Sequence, residues 1–304
     1  MPIIVGYTDT PGGHDALVLG ARFARAGDRR VNVVTAYPED GGGLAAAASD
    51  PRWIQDAEKT ARRRFANARK RLARDAEEDA DSENKVKYSI VGPGKPAEIL
   101  LDEAKQVGAD LIVVGSVGHG LLGRLAVGRT VHSLLASATV PVVIAPRGYR
   151  HTVRRQFRVL AVAVDNTDKS LRAVDFAADL AGRIDAQIEC VTVVATDGAR
   201  PEGARQVARA RSRVPTDLDA YGHVLVDHDI PGTLADLPLK VDALIVVARG
   251  YSIMRRLLLG NVIGRLVRGS SYPVVVLPNH EHVVQSGRSG HEATTDDAED
   301  SAGH

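Results

Sequence analysis

Short apolar runs rich in Val, Ile and Leu recur along the chain and alternate with longer amphipathic stretches. Most of the runs are continuous rather than alternating, which is typical of strands buried on both faces of a sheet. The ten predicted strands cover 2–7, 31–37, 86–91, 110–115, 141–145, 158–164, 186–194, 223–227, 242–248 and 273–277. Helical stretches separate these strands, and crossovers of this length predict a parallel, doubly wound α/β sheet.

The clearest helical stretch follows the second strand. Apolar residues recur in it at steps of three and four, and we predict that they face the core: Trp53, Ala57, Ala61, Phe65, Ala68, Leu72 and Ala76. The matching helix of the second half, near 201–213, is shorter. The helix after that is shorter still, because Pro231 and Pro238 leave room for about one turn.

The same pattern of elements occurs twice. Each half starts with a strand, a turn and an Ala-rich helix, and ends with an acidic residue, an apolar run, a glycine-containing loop, a helix and a proline-led strand. Three pairs of residues share a spacing of 132 positions: Asp110 and Asp242, Gly118 and Gly250, and Gly128 and Gly260. A duplication of one α/β unit accounts for these coincident offsets.

The duplication defines the predicted domains. Two tandem Rossmann-like domains, each a five-stranded parallel sheet flanked by helices, span 1–148 and 157–278. A polar, basic linker over 149–156 joins them, and we expect a disordered acidic tail over 279–304. We further expect the fifth strands, 141–145 and 273–277, to pair within the chain as an internal pseudo-dimer. Whether two chains also form a homodimer stays open.

Composition and charge exclude several classes of protein. The 304 residues are 44% hydrophobic, which is enough for one or two buried cores. The formal net charge is +1, so we expect no nucleic-acid or membrane partner. The lone Cys190 excludes an intramolecular disulfide and a Cys-based zinc cluster, and it falls within an apolar strand. The apolar run near the start is too short for a signal peptide or a membrane anchor, so we expect a cytoplasmic protein.

A glycine-rich stretch, GSVGHGLLGRLAVGRT over 115–130, follows the fourth strand and leads into a helix. Glycines let backbone N–H groups approach an anion, and the helix start near Arg129 and Thr130 adds free donors. At the carboxyl edge of a parallel sheet, this arrangement predicts a phosphate site. It lacks the Gly-Lys-Ser/Thr ending of a P-loop. The glycines could equally serve a tight turn and close helix packing, and the spacing does not decide between the two.

Several motifs together resemble the universal stress protein family. They are VGPGKPAEIL, GADLIVVGSVG, the Gly-x2-Gly-x9-Gly spacing of Gly115, Gly118 and Gly128, and LLASATVPVVIAP. The resemblance covers 1–148 and, in a degenerate form, 157–278. It implies a five-stranded, adenine nucleotide alpha hydrolase-like fold. It also implies that ATP-binding members hold phosphates on the glycine loop and close the adenosine pocket with an Asp after strand one and small apolar residues on strands two and four.

The family pattern is incomplete in the first half. Thr8 stands at the family's Asp position, with Asp9 next to it, and Arg129 replaces the Ser/Thr after the third glycine. By resemblance, the candidate ligand residues are Thr8, Ala36, Val114, Gly115, Gly118, Gly128, Arg129 and Thr130. Ala36 and Val114 would line the adenine slot. Arg129 either contacts a phosphate or is a solvated helix residue in place of a lost hydroxyl contact.

The second half departs from the pattern differently. Asp165 keeps the acid, but Val247 replaces the first glycine, and Gly260 is followed by Asn261. A branched side chain at Val247 stands where the backbone should meet phosphate. We therefore expect ATP, if it binds, in the first half alone.

The remaining motifs favour structural roles. TPGGHD over 10–15 is similar to the SGGxDS loop of PP-loop ATP pyrophosphatases, but both serines are missing, so a helix start is favoured. His280 and His282 lack a third metal ligand nearby. Because no catalytic constellation is evident, we expect no enzyme, or at most slow ATP hydrolysis. The sequence thus predicts a stress-response protein that binds ATP, with a tandem scaffold acting through protein–protein contacts as the alternative.

Overall fold

The computed structural model describes residues 1–36, 51–75, 85–116, 128–152, 156–248 and 262–278. The first half contains β1 (Ile3–Gly6), α1 (Pro11–Ala26), β2 (Val31–Ala36), α2 (Pro51–Asp75), β3 (Val86–Val91), α3 (Pro96–Val107), β4 (Leu111–Gly115), α4 (Arg129–Ser137) and β5 (Val142–Ala145). The second half contains β6 (Val159–Ala163), α5 (Asp168–Ile184), β7 (Gln187–Val194), α6 (Arg200–Arg211), β8 (Ala220–Val226), α7 (Ile230–Ala235), β9 (Ala243–Val247), α8 (Ile263–Gly269) and β10 (Val274–Leu277).

One continuous sheet runs through both halves in the order β3-β2-β1-β4-β5-β10-β9-β6-β7-β8. Neighbouring strands within each half are parallel, as the continuous apolar runs predict. β5 and β10 pair antiparallel at the centre, which is the predicted pairing of the two fifth strands. Each half therefore covers one edge of the other.

A pseudo-twofold axis passes through this central pair. Val143 lies opposite Val275, and their numbers differ by the same 132 positions that relate the two halves. Val142 lies opposite Val276, and Ile144 opposite Val274. The offset of 132 positions relates these two pairs to each other. The duplication seen in the sequence is thus also a symmetry of the sheet.

Each face of the sheet carries helices from both halves. The first face buries apolar side chains of α1, α2, α5 and α6, and the second buries those of α3, α4, α7 and α8. This distribution follows from right-handed crossovers on either side of β1 and β6. Among the described helices, none is long and apolar enough to cross a membrane.

Two sequence predictions can be compared with the elements in detail. Phe65 and Ala68 of the α2 stripe are buried, and the other five side chains of that stripe lie outside the described residues.

β8 starts at Ala220, three residues before the predicted start at 223. The prediction was wrong there because AYG is not an apolar run, and pairing with β7 from Ile188 onward makes it a strand. The predicted tail, 279–304, also lies outside the described residues.

The junction between the halves packs against α1. After β5 the chain forms a short 3₁₀ helix, Tyr149–His151, and the side chains of Tyr149 and Phe157 are buried. The Tyr149 hydroxyl accepts a hydrogen bond of 2.7 Å from Nη1 of Arg22. The Phe157 ring lies 4.5 Å from the ring of Phe23, centroid to centroid. The basic stretch expected to be a linker therefore contains one anchoring aromatic residue, Tyr149, and a second, Phe157, follows directly after it.

Candidate functional site

The carboxyl ends of β1, β2 and β4 meet at one edge of the first half, and α4 begins at the same edge. Ala36 is the last residue of β2 and is half-buried. Val114 on β4 is 5% exposed, and Ala36 packs against the same apolar cluster on the second face. The two residues expected to line an adenine slot thus share one apolar surface.

Leu100 of α3 adds to this apolar surface. A Cβ built on Gly6 would lie 2.9 Å from Cδ1 of Leu100 and 3.1 Å from Cγ1 of Val114. Both side chains therefore cover the bare Cα of Gly6 at the end of β1. Sequence reasoning did not single out Leu100, although its place on the apolar face of α3 was a usable signal.

The glycine that ends β4 contacts the start of α1. A Cβ on Gly115 would lie 2.0 Å from the carbonyl oxygen of Gly12, and one on Gly12 would lie 2.5 Å from that of Ser116. No real side chain tolerates such distances, so these two glycines let the backbones touch. At Gly115, close packing is therefore realised. Gly118, the next glycine of the motif, lies outside the described residues.

The first turn of α4 follows Gly128, the third glycine of the motif, and contains Arg129 and Thr130. Gly128 is the N-cap with an extended backbone (φ −59°, ψ 149°) and no side chain to accept from the first turn. The first backbone bond of the helix runs from the His132 N–H to the Gly128 carbonyl, 2.9 Å. The N–H groups of Arg129 and Thr130 thus precede that bond, at the positive end of the helix dipole. The Arg129 side chain is exposed, and Thr130 is half-buried.

Thr8 lies at the start of the loop between β1 and α1 and is exposed. Its Oγ1 is 3.0 Å from Oγ1 of Thr10, the N-cap of α1, which also accepts from the Gly13 N–H at 3.2 Å. The helix start predicted for TPGGHD is therefore confirmed.

The neighbouring Asp9 has a different role from the family's Asp. One carboxylate oxygen lies 2.8 Å from Nε2 of His14 and 3.4 Å from the hydroxyl of Tyr7. The other accepts from Nδ2 of Asn67 on α2 at 2.8 Å. Asp9 therefore joins the β1–α1 loop to α1 and α2, and does not replace the carboxylate missing at Thr8. Sequence reasoning did not single out this network: Tyr7, Asp9 and His14 lie within eight residues of one another, but Asn67 is 58 positions from Asp9.

The second half has a carboxylate at the position of Thr8. Asp165 and Thr8 are 157 positions apart, as are the helix caps Thr167 and Thr10. Oδ1 of Asp165 accepts from the N–H and the hydroxyl of Thr167, at 2.9 and 2.5 Å. Val247 ends β9 at the position of Gly115, and the motif glycines Gly250 and Gly260 lie outside the described residues. In the part of the chain that is described, no group of three or more His, Cys, Asp or Glu side chains is arranged to hold a metal ion.

Comparison with known proteins places this architecture in a family. The model of the universal stress protein family matches residues 1–146 and 156–226, more than half of the chain. The chain therefore belongs to the universal stress protein family. Universal stress protein Rv2319c of Mycobacterium tuberculosis is 27% identical over an alignment of 298 positions that covers 91% of this chain and 100% of that protein.

Solved structures share the tandem fold. A universal stress protein from Archaeoglobus fulgidus matches with a TM-score of 0.68 at 17% identity, over 92% of this chain and 98% of that one. A putative universal stress protein from Pseudomonas aeruginosa matches with a TM-score of 0.58 at 18% identity, over 91% and 92%. At these identities the likeness shows the fold: two α/β units of the same kind in one chain.

Proposed function

We propose that the first half binds an adenine nucleotide, ATP in particular, and that this binding is how the protein takes part in a stress response. The observation that carries the proposal is the start of α4. Its N-cap is a glycine without a capping side chain, at the edge of the sheet where parallel α/β folds bind ligands. Backbone N–H donors and the helix dipole at such a start favour phosphate oxygens.

The residues around α4 suit the rest of the ligand. Ala36 is half-buried and packs against the same apolar cluster as the buried Val114, so Ala36 can present a small apolar surface to a base. The exposed Thr8 hydroxyl lies shortly after β1, at the position proposed to meet a ribose hydroxyl. Arg129 is exposed and free to turn toward a phosphate or toward solvent. We propose binding rather than efficient turnover, and expect any hydrolysis to be slow.

The second half is proposed not to bind a nucleotide. Val247 places a branched side chain where Gly115 has none, next to the segment that would have to meet phosphate. The retained Asp165 does not offset this, because its Oδ1 already accepts two hydrogen bonds from Thr167.

A tandem scaffold without a nucleotide is the second candidate. The contact between Gly12 and Gly115 favours it, because that contact explains one motif glycine by packing alone. In this alternative the two halves act through protein–protein contacts.

Calorimetric titration with ATP separates the two candidates. The wild type, Gly118→Val and the matched second-half variant Gly250→Val are titrated under the same conditions. Binding to the wild type and to Gly250→Val, with loss in Gly118→Val, supports the nucleotide site in the first half. If the wild type binds no ATP at millimolar concentration, the nucleotide proposal is wrong, and the tandem scaffold remains as the candidate function.

A further inference from the structure

Asp15, the fifth residue of α1, is a carboxylate with 0% exposure that receives three N–H donors. The Gly148 N–H donates to Oδ2 at 2.9 Å, and the Arg150 N–H donates to Oδ1 at 2.9 Å. Nη1 of Arg150 donates to Oδ1 at 3.0 Å. A carboxylate buried without such partners costs free energy, so the conformation in which these donors bind Asp15 is strongly preferred over conformations in which they do not. All three donors come from the segment that follows β5 and leads into the second half.

The same segment contacts α1 at two further points. Nη1 of Arg150 also donates to the carbonyl of Pro11, the first residue of α1, at 3.2 Å. About three turns further along, Arg22 donates to the Tyr149 hydroxyl and lies over its ring, 5.3 Å from the centroid. Gly148 enables the approach, because its φ of 79° is a left-handed conformation that glycine adopts without strain. The junction therefore contacts α1 from Pro11 to Arg22, over about three quarters of that helix.

The start of α1 also borders the candidate site. Gly12 contacts the backbone of Gly115 and Ser116 at the end of β4. Thr10, the cap of the helix, contacts the hydroxyl of Thr8. Gly12 and Asp15 are three positions apart and are neighbours on the same face of the helix, so the start of α1 contacts both the site and the junction between the halves.

The second half has a different residue at the corresponding position. The position 157 residues after Asp15 is Arg172, which carries the opposite charge. Within the described residues, the carboxylate anchor is therefore found in the first half, the same half that is proposed to hold the ligand.

We propose that Asp15 is a positioning residue: together with Arg150, it holds the first turn of α1 against the site and couples ligand binding to the junction. The ligand in this statement is the adenine nucleotide of the proposed function, on which the inference rests. Because coupling is reciprocal, the anchored junction strengthens nucleotide binding, and bound nucleotide in turn stabilises the junction.

The test uses the full chain, with ATP as the probe. ATP affinity is measured by calorimetry for the wild type, Asp15→Asn and Arg150→Ala. The control is Asp175→Asn, which removes a carboxylate bound by Arg213 through bonds of 2.8 and 2.6 Å in the second half. Hydrogen exchange of the Gly148 and Arg150 amides is followed with and without ATP. Arg150→Ala leaves Asp15 and its two backbone donors in place, so the test does not depend on Asp15→Asn folding.

We expect ATP to slow exchange at both amides in the wild type. Asp15→Asn and Arg150→Ala should bind ATP roughly fivefold more weakly or worse, a typical coupling magnitude, and Asp175→Asn should bind like the wild type. A purely structural role of Asp15 predicts exchange that ATP does not change, and equal affinities in all variants. That result overturns the coupling and leaves nucleotide binding standing. A wild type that binds no ATP overturns both proposals together.

Discussion

Val143 and Val275 face each other across the centre of the ten-stranded sheet, and each is buried. They are the one pair of the β5–β10 register that the 132-position offset maps onto itself. The halves are thereby joined through a strand edge that each would otherwise expose to water. Much of the stability of each half should therefore depend on the other.

Val275→Asp tests this dependence. The substitution places a charge without a partner in the apolar layer on the first face of the sheet, and we expect it to lower the free energy of unfolding by about 4 kcal/mol or more. Calorimetric unfolding is the measurement. Val262→Asp is the control, because Val262 is 51% exposed and should tolerate a carboxylate. Similar losses in both variants would mean that the central pair does not hold the halves together.

Gly115→Ala probes the contact between β4 and α1. The added methyl group would lie 2.0 Å from the Gly12 carbonyl oxygen, so α1 has to shift, and we expect a loss of about 2 kcal/mol. Gly182→Ala in α5 is the matched control, since no atom lies within 4 Å of the new methyl group. It should stabilise the protein by about 0.5–1 kcal/mol, because alanine is the better helix former. Thermal unfolding of both variants gives the comparison, and a stabilised Gly115→Ala would contradict the close contact.

Thr8→Asp restores the carboxylate that the family resemblance leads one to expect after strand one. If the first half binds ATP as proposed, the carboxylate can accept a hydrogen bond from a ribose hydroxyl. We expect ATP affinity to rise by roughly tenfold, the equivalent of one net charge-assisted hydrogen bond. Calorimetry measures it, with Asp165→Thr in the second half as a control that should leave affinity unchanged. Unaltered or weaker binding in Thr8→Asp would show that Thr8 does not face the sugar.

Cys190 makes stability depend on pH at the alkaline end. Burial raises the pKa of its thiol from 9.0 to about 11, with a smaller raising effect from Glu189 and an opposing one from Arg211. Below pH 9 the thiol is protonated in the folded and unfolded states alike. Between pH 9 and about 11 only the unfolded state ionises, so the free energy of unfolding falls as pH rises, by about 2–3 kcal/mol in all.

Denaturant unfolding at pH 8, 9, 10 and 11 measures this decline, and Cys190→Ala should show less of it. The comparison isolates the thiol, because burial also raises the pKa of Tyr272 to about 12, and that phenol is present in both proteins. Parallel curves for the two proteins would mean that the thiol does not titrate as its burial indicates.

How far the site could be predicted differs from residue to residue. Ala36 and Val114 were placed by resemblance and do share one apolar cluster. The sequence did not predict that Gly115 contacts Gly12, because the residues around Gly12 indicate only the start of a helix. Asp15 was seen as part of the same TPGGHD segment, yet its three donors lie at Gly148 and Arg150, more than 130 positions away. The site residues proposed for nucleotide binding stay a prediction until a ligand is titrated.

The sequence by itself determined the doubled α/β pattern, the parallel strands and the short helices of the second half. These predictions depend on periodicity, on the positions of glycine and proline and on a repeated offset. Such signals are local or arithmetic, and they can be obtained from the sequence without knowledge of the fold. The tertiary structure decided which backbones touch at Gly12 and Gly115, and which carboxylate anchors the junction. Those contacts join segments that are far apart in the chain, and their free energy depends on distances that exist only once the sheet and its helices have packed.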